Sequence, residues 1–247
     1  MFELNKLAKL SYNQDNPKSP YLFSGITVQI QQAERIALIG SSGQGKSTLL
    51  RTLALLSSPD EGMMLLEGAS YQEVGARNWR KRICYVAQQA VMLPGSVEDN
   101  LRTASRLHGT SYESKLADEL LETSGLSELD LQKNARELSG GEMQRIALIR
   151  SMLLRPSVLL LDEVTSSLDA MNTRAVEQLL QKWHEKEGTT LIGVTHELEQ
   201  AVRSSERVWF MSSNTILEDA PTVRFFSEPS TEAARKFIGL IKEEVQL

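Results

Sequence analysis

Apolar residues fall along this chain in two rhythms. Over residues 2–12 and 21–30, apolar and polar positions alternate, with a turn-rich stretch at 13–20 between them. Period two marks strands with one buried face, so an antiparallel sheet is expected here. Ile36-Ala37-Leu38-Ile39, Val158-Leu159-Leu160-Leu161 and Thr190-Leu191-Ile192-Gly193-Val194 are instead short, nearly unbroken apolar runs. Runs of that kind suit strands buried on both faces, as in a parallel sheet covered by helices. Helical patterns cover residues 46–56, 141–154 and 172–187. The first stops at Ser57-Ser58-Pro59 and the second before Pro156, because proline cannot continue a helix. Residues 89–154 are mostly helical in pattern, with an amphipathic stretch at 111–123, and 231–245 predicts a tail helix packed on its own domain. The expected class is α/β: a parallel-sheet core, an N-terminal antiparallel β subdomain and an inserted helical subdomain. The expected partition of a single domain over 1–247 is core at 1–87 and 156–228, helices at 88–155 and the tail helix at 229–247.

With 247 residues the chain can bury a substantial core. Its net charge of −5 argues against gripping nucleic acid or anionic lipid by bulk electrostatics. The single cysteine, Cys84, lies in the apolar run Ile83-Cys84-Tyr85-Val86 and reads as a small buried apolar residue. The first residues lack the basic start and apolar stretch of a signal peptide, and no run of about 18 apolar residues occurs. Work at a membrane would therefore go through a partner.

Chemistry concentrates at the ends of the apolar runs. Directly after Ile39 come Gly40, Ser41, Ser42, Gly43, Gln44, Gly45, Lys46 and Ser47, the pattern G-x-x-x-x-G-K-[ST] between a strand and a helix. Glycines let backbone N–H groups approach phosphate oxygens, and the helix start adds its positive dipole end. Lys46 is expected on the β- and γ-phosphates, Ser47 on Mg²⁺, and Thr48 as a further phosphate contact. The Val158 run ends in Asp162-Glu163, at the sheet edge where ligands of open α/β sheets bind. Asp162 suits the Mg²⁺ shell and Glu163 the attacking water. These features indicate a nucleoside triphosphate site and leave kinases, GTPases, helicases and transporters open.

The segment Leu138-Ser139-Gly140-Gly141-Glu142 narrows the choice. Ser139 and Glu142 form a capping-box pattern, while two glycines in a first turn are costly for a helix. The cost makes sense where a phosphate must approach the turn closely. The segment resembles the LSGGQ signature of the ATP-binding cassette (ABC) ATPases, and the resemblance runs along nearly the whole chain in the family's order. It implies a P-loop (RecA-like) core, ATP and Mg²⁺ as ligands, and a head-to-tail homodimer formed on ATP binding. Ser139, Gly140, Gly141 and Glu142 would then contact the ATP of the other copy, with Asp169 of Ser166-Ser167-Leu168-Asp169 at the dimer contact. By the same resemblance Gln88 reaches Mg²⁺ and the water, His196 senses the γ-phosphate, and Tyr12 stacks on adenine, with Tyr21 as second choice. Glu163, His196 and Lys46 would carry catalysis. Three departures are visible: Glu142 for glutamine, Ala33-Glu34 for a Gly-Glu turn, and Ala87 where proline is frequent. None removes a catalytic group.

A single cassette without spans implies the ATPase subunit of a transporter, cytoplasmic and held at the inner face of the cell membrane by an integral membrane subunit. Val91-Met92-Leu93-Pro94 is either apolar surface for that subunit or part of the chain's own core. The rival is a soluble cassette ATPase of the iron–sulfur cluster assembly type. The segment before the signature, QKNARE, lacks the glutamate-rich motif of fused exporters, which favours a separate-subunit transporter. Residues 79–101 and 137–150 are similar to the small bacterial Fet-type cassettes linked to metal export.

Overall fold

The computed structural model describes residues 1–11 and 20–245, with side chains through residue 239. In chain order the elements are β1 (Phe2–Leu10), β2 (Tyr21–Ile30), β3 (Arg35–Ile39), α1 (Lys46–Leu53), β4 (Glu61–Leu66) and β5 (Ala69–Ser70). Then follow α2 (Tyr71–Val74), α3 (Ala76–Arg82), β6 (Ile83–Val86), α4 (Val97–His108), α5 (Ser114–Thr123) and α6 (Gly140–Met152). The last third holds β7 (Val158–Asp162), α7 (Ala170–Glu187), β8 (Thr190–Val194), α8 (Leu198–Ser204), β9 (Arg207–Ser212), β10 (Thr215–Pro221), α9 (Thr222–Ser227) and α10 (Glu232–Val245). The fold is mixed α/β, and the chain forms two compact units, residues 1–80 with 190–247, and residues 81–189.

In the first unit β1 pairs antiparallel with β2 and β4, in the order β2-β1-β4-β5. Phe2 and Leu4 face inward, and after a bulge Leu7 and Ala8 do so. Lys6 in the bulge takes φ 50°, and a Cβ on the facing Gly62 would lie 2.4 Å from the Lys6 carbonyl oxygen. Only glycine fits there, and the inward face is kept through the register shift.

The parallel strands of this unit are β8, β3 and β9, with Ile36 opposite both Ile192 and Arg207. β10 returns antiparallel through a two-residue turn in which Ser213 and Asn214 both have positive φ. That geometry follows the strand twist. α1 ends at Leu53 rather than at residue 56, because Leu55 turns to φ 54°. The Trp79 indole donates to Leu53 O at 2.8 Å and Arg80 to Leu55 O, satisfying carbonyls that the helix leaves open.

The tail helix packs on its own unit. Ala234 and Ile238 join Val208, Phe210 and Phe225 in one apolar cluster. The buried Glu218 carboxylate accepts from Ser230 N at 3.0 Å and from Thr231 N at 2.5 Å, just before α10.

In the second unit β6 and β7 run parallel with Ile83 opposite Val158, and α4 packs on α6. The amphipathic stretch expected from residue 111 becomes helical only at Ser114; Tyr112 lies under the Arg102 guanidinium, 4.3 Å from its ring centre. Cys84 is buried in β6, and burial pushes its thiol up to about 12.

Glu218→Ala removes the acceptor that orders the start of α10. A loss of about 1–3 kcal/mol is expected, read as a lower denaturant midpoint, because two part-buried hydrogen bonds to a charged acceptor are lost.

Candidate functional site

The phosphate-loop residues sit where β3 runs out. Gly40 has φ 149°, and a Cβ on it would meet the Met211 carbonyl oxygen of β9 at 2.2 Å. A hydrogen is all that fits, so the chain can leave β3 by this path only with glycine. Ser41, Ser42 and Gly43 are exposed, and Gly45 takes φ 93° as the residue before α1. Lys46 is 6% exposed, and its Nζ donates to Gly40 O at 2.7 Å and Ser41 O at 2.9 Å. A buried ammonium is thereby held by the loop's own carbonyls. Asn214 N donates to Gln44 Oε1 at 3.4 Å, and Ser47 and Thr48 lie half-buried on α1. A glycine-opened helix start with a lysine folded onto its loop is an anion-binding arrangement.

His196 follows β8, the strand paired directly with β3, and it is exposed. Its loop is fixed from both sides: Thr195 Oγ1 donates to the buried Gln200 at 2.6 Å and accepts from Glu197 N at 3.1 Å. Tyr12 lies outside the described residues. The Tyr21 phenol donates to Glu61 Oε1 at 2.7 Å, and this bond raises its pKa.

In the second unit β7 is buried throughout, and Asp162 is 2% exposed. The Tyr85 hydroxyl, on the adjacent β6, donates to Asp162 Oδ2 at 2.7 Å. Glu163 follows with φ 50°, a left-handed conformation that costs an L-residue roughly 1–2 kcal/mol. Its Oε2 accepts from Gln88 Nε2 at 2.7 Å. The two residues thus leave the same edge of two parallel strands and meet. Gln144, 3% exposed on α6, donates to Ala87 O at 3.0 Å and fastens the segment that carries Gln88.

Ser139 caps α6 as the capping-box pattern predicts. Its N–H donates to Glu142 Oε2 at 2.7 Å, and Glu142 N donates to Ser139 Oγ at 3.3 Å. Gly140 is exposed, and a Cβ there would meet nothing within 4 Å. Asp169 caps α7, accepting from Asn172 N at 2.9 Å. The sequence did not single out Tyr85, Gln144, Arg145 or Asn172, which hold these groups in place.

Residues 23–166 match the family model described as "ABC transporter". The chain belongs to the ABC transporter family. As a member of that family it is an ATP-binding protein and an ATPase of the transporter-subunit type. It is 39% identical over 228 residues to the ABC transporter ATP-binding protein YjkB of Bacillus subtilis (strain 168), covering 92% of this chain and 90% of that protein. It is 34% identical to the methionine import ATP-binding protein MetN of Mesorhizobium japonicum, over 90% of this chain and 62% of that one. Identity to the phosphate import ATP-binding protein PstB 2 of Natronomonas pharaonis is 35%, over 88% and 81%. Two solved structures share the ABC fold at 21% identity. An ATP-binding subunit of an ABC transporter has TM-score 0.81 and coverage of 98% and 99%. A bacterial Atm1-family ABC exporter with ATP bound has TM-score 0.82, over 97% of this chain and 41% of the exporter. No helix among the described residues of this ABC protein is long and apolar enough to cross a membrane.

The Glu142 carboxyl lies below its ordinary value, first because the Ser139 backbone N–H donates to it. Such a group stabilises the fold at neutral pH, and the contribution is lost as pH falls through the lowered value. Glu142→Gln keeps an acceptor but does not titrate. The native chain should be the more stable at neutral pH, with the two denaturation midpoints converging in acid.

Proposed function

We propose that this chain is the ATPase subunit of a transporter, hydrolysing Mg²⁺-bound ATP as two copies close head to tail and so driving a separate membrane subunit. The observation that carries the hydrolytic part is Glu163, set with a left-handed backbone at the end of a buried strand, its carboxylate held by Gln88. A backbone kept in a costly conformation beside an acidic pair fits a group aimed at a reacting atom.

In this reading the loop of Gly40 to Gly45 takes the phosphates of ATP through its N–H groups. Lys46 exchanges its loop carbonyls for the β- and γ-phosphates, and Thr48 adds a phosphate contact. Tyr12 stacks on the adenine. Ser47, Gln88 and Asp162 offer a hydroxyl, an amide oxygen and a carboxylate, the hard oxygen donors Mg²⁺ takes; so few protein ligands suit an ion that keeps waters and phosphate oxygens. Bound there, Mg²⁺ would neutralise charge on the phosphate oxygens. Glu163 orients the attacking water and accepts its proton, while His196 and Lys46 stabilise the charge on the transferring group. Ser139, Gly140, Gly141, Glu142 and Asp169 serve the ATP of the second copy. The working domain combines the core at 1–87 and 156–228 with a helical subdomain at 88–155.

The membrane subunit docks on residues 91–94. Met92 is buried, whereas Val91 is 68% and Leu93 41% exposed. The buried Asn100 bonds Leu93 N and O and Ser96 O, and Arg150 donates to Val91 O. Apolar side chains on a fastened loop suit a rigid contact. The chain then works in the cytoplasm, at the inner face of the cell membrane. The relatives named above are transporter proteins, which favours transport over iron–sulfur assembly. Their named cargoes, methionine and phosphate, do not single out metal export.

Glu163→Gln should keep ATP affinity while turnover falls about 10²–10³-fold; near-native turnover removes Glu163 from its role. Lys46→Ala should weaken binding of a fluorescent ATP analogue, and unchanged affinity counts against the phosphate assignment. Captured from membranes as Glu163→Gln with Mg·ATP, the chain should bring down an integral membrane protein, and Val91→Asp with Leu93→Asp should release it. A soluble scaffold as main companion overturns the transporter reading.

A further inference from the structure

Arg145 makes an unusual set of contacts for a nearly buried cation. It is 8% exposed, and its hydrogen bonds go to neutral oxygens while the Glu142 and Asp169 carboxylates act on its charge from nearby. Its Nε donates to Gly141 O at 3.2 Å, in the first turn of α6, and its Nη1 donates to Ser124 O at 3.1 Å and to Asn172 Oδ1 at 2.5 Å. Burial lowers the guanidinium's pKa. Asn172 in turn donates to both carboxylate oxygens of Asp169, from N at 2.9 Å and from Nδ2 at 2.6 Å. An unbroken polar chain therefore runs from Gly141 through Arg145 and Asn172 to Asp169. A second contact closes the same gap: a Cβ on Gly141 would lie 3.1 Å from the Leu168 side chain, next to Asp169.

Stability alone gives a poor account of this arrangement, since a well-packed apolar side chain can replace a buried charge with little loss. What the planar fork supplies is direction: several donors fixed in one plane, reaching three backbone or amide oxygens at once.

We propose that Arg145 and Asn172 are positioning residues that tie the start of α6 and the Asp169 loop into one rigid element, so that both meet a second copy of this chain in fixed register. The proposal rests on the head-to-tail reading above. Two loops that must contact the same neighbouring surface gain affinity when their separation is already set, because the ordering cost is met before association.

The test uses full-length chain carrying Glu163→Gln, with Mg·ATP, and reads the dimer dissociation constant by sedimentation. Asn172 is half-buried, so Asn172→Ala should fold; its melting temperature should fall by several degrees at most, as Arg145 loses one acceptor, while its affinity for a fluorescent ATP analogue as monomer should stay at the parental value. The dimer dissociation constant should rise about tenfold or more. Arg145→Lys, which keeps the charge but loses the fork, should weaken the dimer likewise, and the double variant should be no worse than the weaker single one. The relay is overturned if Asn172→Ala dimerises at parental concentrations, or if the two losses multiply in the double variant. If Arg145→Lys fails to fold, Asn172→Ala alone decides. A parent that stays monomeric with Mg·ATP overturns the head-to-tail reading itself, and the relay with it.

Discussion

The Met211 carbonyl oxygen stands where a side chain on Gly40 would begin, 2.2 Å from the place of its Cβ. The phosphate loop depends on that steric exclusion. It forces the chain out of β3 with a backbone that only glycine adopts, and the turn that follows brings Lys46 back onto Gly40 O and Ser41 O. The constraint comes from β9, far away in sequence and pinned beside β3 by Phe210 and Val208 in the apolar cluster. A loop of the candidate site is thus shaped by packing behind it, which places a flexible residue in a single conformation.

A related economy governs the helix starts. Ser139 and Glu142 at α6, Ser96 and Asp99 at α4, and Ser70 and Glu73 at α2 all form reciprocal caps. Each places a carboxylate on open N–H groups, where the helix dipole also favours it. α1 is different: Gly45 offers no side-chain cap and no acidic residue occurs in its first turn. The helix start that would take a foreign anion brings none of its own, a feature it shares with the start of α9.

Strands buried on both faces were legible from their continuous apolar runs, and β3, β7 and β8 form where those runs predict. β1 and β2 follow from alternation. β4 was not legible: of Glu61, Gly62 and Met63 none is buried, and only Met64 and Leu66 carry the inward face. The β9–β10 hairpin was missed because Ser213-Asn214 lacks the glycine that marks such turns, although asparagine tolerates positive φ. At the site, residues with a fixed motif spacing were visible and those that hold them were not. Tyr85 looked like one more apolar position in β6, though a hydroxyl in a largely buried strand needs a partner, and Asp162 provides it. Arg145 and Asn172 lie 27 positions apart and meet only through the fold.

Four of the buried polar residues share a task that separates them from the rest of the core. Lys46 bonds the phosphate-loop carbonyls, Gln200 the hydroxyl beside His196, Asn100 the backbone at Leu93 and Ser96, Gln144 the backbone before Gln88. In each case an interior side chain fastens a loop that reaches the surface. Loop backbone has no ladder to satisfy its N–H and C=O groups, so the fold must supply partners from within or leave those groups to water. A side chain that does so also fixes the loop's position, since a hydrogen bond has direction and an apolar contact has little. Replacing such a residue by an apolar one of equal volume could keep the core filled and still let the loop wander. The apolar interior sets whether this chain folds; its few interior polar groups set where the working loops lie.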